Sequence, residues 1–389
     1  MVSVSTIAAS FFLVLGGAGA WVPFFGLYLK RTGYSGTAFG LMMAAMTLAR
    51  VVSAPLWTAL ADRFRSAERV LIFTSFVSWC GAAAAIWLEL PPLAMAATLV
   101  LFAAARGPIG PLLDAESIVA LERRGLDARH YGRIRLWGSV GFMVLGVIAG
   151  WLADLHPRAP LDLALLAWFL GAVLTFAFPR APLTKPVPVW EAMRAFAGER
   201  FFGPFVAALV LHGFALVTWD NVIGIHVAAI GLSSRWTGAA VGVAMVTEIT
   251  VMWLGRAVLA RIEPFRVLTL ATTLGSLRWL AAAVSRDPLV LLVTQTTHGV
   301  VFGAFWIASV EILRTRAPER IRATAQGILA TGSYGVGAIV SGLAIALVLE
   351  PLHSRGLLLM GAAASLAAAG LAIRAERAAR ATHGTSASH

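Results

Sequence analysis

The chain contains 389 residues, of which 59% are hydrophobic and only 13% are charged, and its formal net charge is +12. Soluble domains contain about 45–50% apolar and about 25% charged residues, so this composition excludes a soluble globular protein and a disordered one. The single cysteine, Cys80, excludes an internal disulfide and a metal site built from cysteines.

Apolar runs long enough to cross a bilayer follow one another along the whole chain. A transmembrane helix needs about 20 predominantly apolar residues. The first run is longer than the core of a signal peptide and no lysine or arginine precedes it, so we interpret it as the first membrane helix. The sequence predicts an all-α polytopic membrane protein with 12 transmembrane helices near residues 6–28, 37–60, 70–89, 93–117, 135–155, 160–179, 203–229, 236–258, 267–285, 288–313, 323–349 and 354–374.

Arginine and lysine are distributed unequally between the two sides of the predicted membrane. If both termini lie on one side, the loops on that side carry 22 of the 31 basic residues, the opposite loops carry six, and three lie within spans. Cytoplasmic loops are the ones enriched in these residues. We therefore predict that both termini are cytoplasmic.

The longest loop and two short internal repeats divide the chain into halves. The loop is rich in proline and basic residues and separates six spans from six. A Gly-Ser-x-Gly segment at 138–141 returns at 332–335, and the Leu-Ala pair at 60–61 returns at 259–260, so both repeats match a span with the one six later. We predict two pseudo-symmetric six-helix bundles, the pattern of the major facilitator fold, with an N-terminal bundle at 1–179, a cytoplasmic linker at 180–202, and a C-terminal bundle with a short cytoplasmic tail at 203–389.

The chain resembles a known family over essentially its whole length. The segment Tyr131–Gly141 reads Tyr-Gly-Arg-Ile-Arg-Leu-Trp-Gly-Ser-Val-Gly. It resembles the signature of the lactose-permease-like proton symporters of the major facilitator superfamily, and more closely that of their phenylpropionate-permease-like relatives. Arg278 and His298 are spaced like the matching Arg and His of the lactose type, and Glu248 lies where that group has a functional Glu.

The chain departs from the family pattern at one position and keeps the core of a second motif. The lactose type has a second carboxylate one turn after the histidine, and here that position is Val301, so its proton site does not carry over whole. The segment 58–66 resembles the cytoplasmic motif that follows the second span in the superfamily and keeps its Asp62 and Arg63. The resemblance implies that these two residues latch the cytoplasmic face.

The resemblance implies a monomeric secondary active transporter of the bacterial inner membrane. It would take up a small organic solute with protons, driven by the proton gradient without a cofactor, by alternating access around a central site, with no nucleic-acid partner. Phenylpropionate-like carriers, together with arginines and aromatic residues inside the spans, favour an aromatic or other organic anion. The alternatives are a proton-coupled sugar or nucleoside symporter, an exporter, and a non-transporting receptor or assembly protein with a transporter fold.

Enzyme chemistry has no support in the sequence. The chain contains no phosphate-binding loop, so we do not expect ATP to be the energy source. It also contains no arrangement of residues typical of a hydrolase or metalloprotease.

Four ionisable residues fall near the middle of consecutive spans in the C-terminal half. Such a group costs at least about 2.5–3.5 kcal/mol on insertion scales, so each is a functional candidate. Burial favours the neutral form of a carboxyl and a nearby arginine favours the charged form, so a carboxyl moved between these settings takes up and releases a proton. The predicted proton-coupling residues are Asp220, Glu248, Arg278 and His298.

Each of these residues also has a structural interpretation. Glu248 and Arg278 could form a fixed ion pair, and His298 could be a packing residue, although an imidazole titrates near neutral pH and suits a proton relay. For Asp220 we favour a charge partner within the C-terminal half over contact with substrate.

The predicted substrate-binding residues combine arginines, carboxylates and aromatic rings. Arginine binds a carboxylate through two parallel hydrogen bonds, and Gln295 lies one turn before His298, on the same helix face. The full set is Trp21, Arg50, Arg106, Asp114, Glu116, Arg135, Trp219, Gln295 and Trp306.

Alternatives stay open within this set. The resemblance implies a carboxylate partner for Arg135, and both Asp114 and Glu116 compete for that role; Arg135 could instead be a flanking anchor. Arg50 could form a structural pair with either carboxylate. The tryptophans could belong to the packed core rather than line a pocket.

Overall fold

The computed structural model describes residues 2–64, 66–126, 128–178, 189–317 and 327–386, and the regular elements within these ranges are all helical. Eleven of the described segments are long and apolar enough to cross a membrane. The last of them, Gly327–Ala381, has 55 residues and covers both the eleventh and the twelfth predicted spans.

The helices follow the predicted spans in order. They are α1 (Val4–Arg31), α2 (Gly36–Phe64), α3 (Ala67–Trp87), α4 (Pro92–Arg106), α5 (Ile109–Glu122), α6 (Ala128–Leu155), α7 (Ala159–Leu174), α8 (Val189–Phe196), α9 (Phe202–Ala229), α10 (Ser234–Leu259), α11 (Pro264–Val284), α12 (Pro288–Thr296), α13 (Phe305–Arg316) and α14 (Gly337–Ser386). Two π-helical turns also occur, π1 at Gly299–Ala304 and π2 at Ala330–Val336.

Two of the long helical segments, Pro92–Glu122 and Gly327–Ala381, are interrupted at proline. The fourth span consists of α4 and α5, which are separated at Gly107 and Pro108. Proline has no N–H to donate and disturbs the preceding turn, which accounts for a break there. In α14, Pro351 precedes His353, whose φ of 54° and ψ of −171° are not helical. This break separates α14 into the last two predicted spans.

The chain forms two compact units. One consists of Met1–Lys185 with Asn221–Gly242, and the other of Pro186–Asp220 with Val243–His389. The prediction assigns 221–242 to the C-terminal bundle, whereas these residues pack with α1 and α6 of the first unit. A Cβ atom on Gly224 would lie 2.3 Å from the Pro23 carbonyl oxygen, so the two backbones meet there. Residues 180–188 of the predicted linker lie outside the described part of the chain, and the linker stays a prediction.

Glycines bring α1 and α6 into backbone contact in the first unit. A Cβ atom on Gly19 would lie 2.2 Å from the Phe142 carbonyl oxygen, and one on Gly141 would lie 2.2 Å from the Phe12 carbonyl oxygen. Small residues at such crossings let membrane helices pack closely. The last glycine of the Tyr131–Gly141 segment is therefore a packing residue.

We expect Gly141→Ala to destabilise the first unit by about 1–3 kcal/mol, because the added methyl group forces α1 and α6 apart. The matched control is Gly132→Ala in the same helix, where a Cβ atom meets no other atom within 4 Å. Thermal unfolding of the purified proteins in detergent measures the difference. Equal unfolding midpoints for the two variants would contradict the proposed packing.

Candidate functional site

Four predicted site residues of the second unit form one hydrogen-bonded cluster. Arg278 Nη1 lies 3.0 Å from His298 Nδ1, and Arg278 Nη2 donates to Gln295 Oε1. His298 Nε2 lies 3.3 Å from Glu248 Oε2. The relative exposures of Glu248, Arg278 and His298 are 9%, 3% and 8%. The structure thus brings residues of α10, α11 and the predicted tenth span together; we call these four residues the coupling cluster.

The donors in the coupling cluster assign the position of the histidine proton. The guanidinium of Arg278 has only donors, so His298 Nδ1 accepts and the ring hydrogen lies on Nε2, which faces Glu248. A second ring proton on His298 would place two donors opposite each other at Nδ1. Glu248 is consequently the group in the cluster that can accept a proton while the bond between Arg278 and His298 stays intact.

Arg278 also contacts residues beyond the coupling cluster. Its guanidinium carbon lies 5.4 Å from the ring centroid of Trp219 and 5.8 Å from that of Trp279, in the range of cation–π contacts. The charge of Asp220 interacts with that of Arg278. Arg278 Nε is buried and has no hydrogen-bond partner among the described residues. Arg278 therefore links the other residues of the coupling cluster to Asp220 and Trp219, and its Nε–H can donate to a further acceptor.

The turn π1 sets the approach of His298 to Glu248. It begins directly after His298, and the Gly299 N–H donates to Thr247 Oγ1 over 3.2 Å. A Cβ atom on Gly299 would lie 2.2 Å from the Thr247 carbonyl oxygen, so the backbones of π1 and α10 are in contact. Since Thr247 and Glu248 are adjacent, this contact holds the carboxylate opposite the imidazole. Sequence reasoning missed Thr247, because a threonine in an apolar span gives no signal.

The predicted Trp306 lies in an aromatic row that starts at His298. Phe302 stacks on the His298 ring with a centroid distance of 5.5 Å and an interplanar angle of 9°. Trp306 lies 6.1 Å from Phe302 and 6.1 Å from Tyr334. Trp306 is therefore joined to the coupling cluster through Phe302.

In the first unit, Arg106 lies against the rings of Phe102 and Trp168, which also pack with Trp21; we call these three rings the aromatic box. Its guanidinium carbon is 4.1 Å from the Trp168 ring centroid, and its Nη2 donates to the Val14 carbonyl oxygen over 2.9 Å. The ring of Trp168 is 5.2 Å from Trp21 and 5.3 Å from Phe102. Trp168 is not among the site residues predicted from the sequence, although its mid-span position resembles that of Trp21.

A second arginine lies close to the aromatic box. The charge of Arg50 interacts with that of Arg106, and a Cβ atom on Gly107 would lie 3.1 Å from Arg50 Cγ. Two like charges inside a membrane helix bundle raise the electrostatic free energy of the unit. Binding of an anion beside them would lower it.

A polar group at the start of α6 joins three residues of the first unit. Asp114 Oδ1 accepts from the Tyr131 hydroxyl over 2.7 Å and lies 3.5 Å from Arg135 Nε. The other candidate carboxylate, Glu116, is fully buried. Asp114 therefore pairs with Arg135 in this structure. The side chains of the predicted latch residues Asp62 and Arg63 lie outside the part that the structure describes, and the latch stays a prediction.

Comparison with known proteins identifies related transporters. Residues 4–348 match the model of the MFS_1 like family. The maltose permease of Geobacillus stearothermophilus is 27% identical over 84% of this chain and 83% of its own. A probable 3-phenylpropionic acid transporter of Escherichia coli is 25% identical over 86% of this chain and 89% of its own. The solved structure of the nucleoside transporter NupG aligns with a TM-score of 0.83 at 20% identity, over 96% of this chain and 99% of that chain.

These comparisons confirm the predicted fold class. The likeness to NupG is one of fold, since the sequences share only 20% of their residues. The relatives and structural neighbours are membrane transporters of the major facilitator type, not enzymes, as the sequence predicts.

We expect Arg278→Leu to destabilise the second unit by about 3–5 kcal/mol, because it removes the buried cation that interacts with Asp220 and binds the His298 ring. Arg314→Leu is the control, because Arg314 forms an exposed ion pair with Glu311, and its unfolding midpoint should stay close to that of the parent protein. Thermal unfolding in detergent measures both. An Arg278→Leu midpoint equal to that of Arg314→Leu would show that Arg278 does not stabilise the cluster.

Proposed function

The chain belongs to the MFS_1 like family and is a multi-pass membrane transporter, and we propose that it takes up a small organic solute together with protons. The observation that carries the proton coupling is the buried contact between Glu248 and His298, with Arg278 on the other side of the ring. We place both termini in the cytoplasm, because the basic loops fall on the side of the termini. By likeness to the bacterial transporters, we also propose that the protein is a monomer in the bacterial inner membrane.

Glu248 is the proposed proton carrier. In its charged form it accepts the Nε2–H of His298 in a charge-assisted hydrogen bond. A proton bound to Glu248 removes the negative charge and weakens this bond, which frees His298 and Arg278 to move. Loss of the proton restores the contact. The charge of Glu248 is thereby linked to the position of Arg278, which also contacts Gln295 and Trp219.

An aromatic or other organic anion is the proposed substrate. Arg106 offers a guanidinium beside the rings of Phe102 and Trp168, which pack with Trp21, and Arg50 adds a second positive charge. A carboxylate binds the guanidinium while an attached ring packs against indole. The relative named as a probable 3-phenylpropionic acid transporter supports this class of substrate.

A neutral sugar or nucleoside is the second candidate. It is favoured by the relative named maltose permease and by the fold likeness to the nucleoside transporter NupG. A neutral polyol or nucleoside binds through paired hydrogen-bond donors and acceptors rather than through an ion pair. Asp114 with Arg135, and Gln295 with Arg278, offer such pairs.

We expect Glu248→Gln to abolish proton-driven uptake of a transported probe while exchange of that probe across the membrane stays within about twofold of the parent protein, because exchange needs no net proton release. The measurement uses proteoliposomes that contain a trapped pH-sensitive dye, with 3-phenylpropionate, maltose and uridine as probes. Glu311→Gln, in an exposed ion pair with Arg314, is the control and should keep both activities. Proton-driven uptake that persists in Glu248→Gln would refute the proposed carrier.

We expect Arg106→Leu to weaken binding of 3-phenylpropionate by at least about tenfold, because a hydrogen bond to a charged group is lost. Arg158→Leu, which removes an exposed i, i+4 ion pair with Asp162, should leave the affinity unchanged. Equilibrium binding of labelled 3-phenylpropionate to the purified protein measures this. Binding of uridine or maltose, with no binding of 3-phenylpropionate, would favour the second candidate.

A further inference from the structure

A fully buried histidine of α9, His212, has a hydrogen bond at each ring nitrogen. Nε2 lies 2.9 Å from the Val301 carbonyl oxygen, and Nδ1 lies 3.0 Å from Ser365 Oγ. A carbonyl only accepts, so Nε2 carries the hydrogen and Nδ1 accepts from the Ser365 hydroxyl. The sequence predicts a structural or rim role for His212, as it does for His226 on the same helix.

The Val301 carbonyl lies inside π1 and lacks the partner that an α-helix would provide. In an α-helix, the N–H of residue 305 bonds to the carbonyl of residue 301. Here the Phe305 N–H bonds to the carbonyls of Val300 and Phe302 instead. The imidazole of His212 donates to the Val301 carbonyl. The unusual register of π1 is therefore matched by a side-chain donor from another helix.

The coupling cluster depends on this register. His298 immediately precedes π1, and the Thr297 carbonyl accepts from both Val300 and Val301 N–H groups, each over 3.0 Å. If π1 returned to the α-helical register, the preceding residues would turn by about one residue's rotation, roughly 100°. The His298 ring would then leave Glu248 and Arg278.

The same turn of α9 also contacts π2. Ser333 of π2 donates to the Leu209 carbonyl over 3.1 Å, and a Cβ atom on Gly213 would lie 2.4 Å from Ser333 Cα. One turn of α9, from Leu209 to Gly213, thus contacts both π1 and π2. Turns of this type are common at functional sites.

We propose that His212 is a positioning residue for the coupling cluster, which holds π1 in its register through the Val301 carbonyl and so keeps His298 between Glu248 and Arg278. This inference rests on the proposed function only for its effect on transport. The proposal assigns the transported proton to Glu248 and gives His212 a positioning role through its bond to the Val301 carbonyl.

Two substitutions separate the two bonds of His212. His212→Asn keeps an amide near the position of Nδ1 for Ser365 and is too short to reach the Val301 carbonyl, whereas His212→Gln keeps an N–H at the reach of Nε2. The control is His226→Gln, at a buried histidine of the same helix. The full-length protein in detergent micelles is labelled with ¹⁵N-histidine, and the His298 signals are assigned by difference from His298→Gln.

In the parent protein, in His212→Gln and in His226→Gln, we expect His298 signals of the neutral Nε2–H tautomer. In His212→Asn we expect a mixture of tautomers. Unchanged His298 signals in His212→Asn would overturn the proposal. So would identical changes in the Asn and Gln variants, because packing and not the bond to Val301 would then be responsible.

Transport gives a second readout that distinguishes this inference from the proposed function. With 3-phenylpropionate as the probe, we expect His212→Asn to lose roughly tenfold in proton-driven uptake, with a shifted pH profile and with exchange within about twofold, and His212→Gln to recover the uptake. Equal losses of exchange and driven uptake in His212→Asn would overturn the positioning role. Persistent driven uptake in Glu248→Gln would overturn the proposed function and would leave the tautomer result in force.

Discussion

The free-energy cost of burying a charge inside a membrane protein determines which residues surround Arg278 in the second unit. Arg278 is 3% exposed, and an unpaired guanidinium at such a position would cost several kcal/mol. The structure offsets this cost with a histidine nitrogen, a glutamine oxygen, two indole rings and the charge of Asp220. A change in the charge of any partner therefore alters the balance at Arg278. This dependence supports the proposed coupling of the cluster to protons.

Close backbone contacts give these charges their fixed positions. Gly299 lets π1 touch α10 beside Glu248, and Gly213 lets α9 touch π2. In hydrocarbon there is no hydrophobic driving force between helices, so packing of small residues and hydrogen bonds hold them together. The polar cluster and the glycine contacts thus depend on each other, because a small shift of a helix would break hydrogen bonds of about 3 Å.

The membrane spans and the buried charged residues could be predicted from the sequence. Features that depend on the hydrogen-bond register of the backbone could not. Hydropathy locates the spans because each must match the bilayer thickness, and the cost of buried charge points to Glu248, Arg278 and His298. The π-helical turns have the same apolar composition as an α-helix in a membrane. The sequence of residues 299–304 therefore does not indicate a π-helical turn. Trp168 and Thr247 become recognisable only when Arg106 and Gly299 are seen beside them, since their contacts join distant parts of the chain.

The π-helical turn after His298 has a consequence for how related chains align. A π turn is in effect an α-helix with one inserted residue, so removal of one residue between 299 and 304 would regularise the helix and keep its ends in place. Homologous permeases without the bulge would then differ from this chain by a single gap within a membrane span, where length is otherwise tightly constrained. Such a gap beside the histidine would indicate a different position of the histidine ring relative to its partners, not an alignment error.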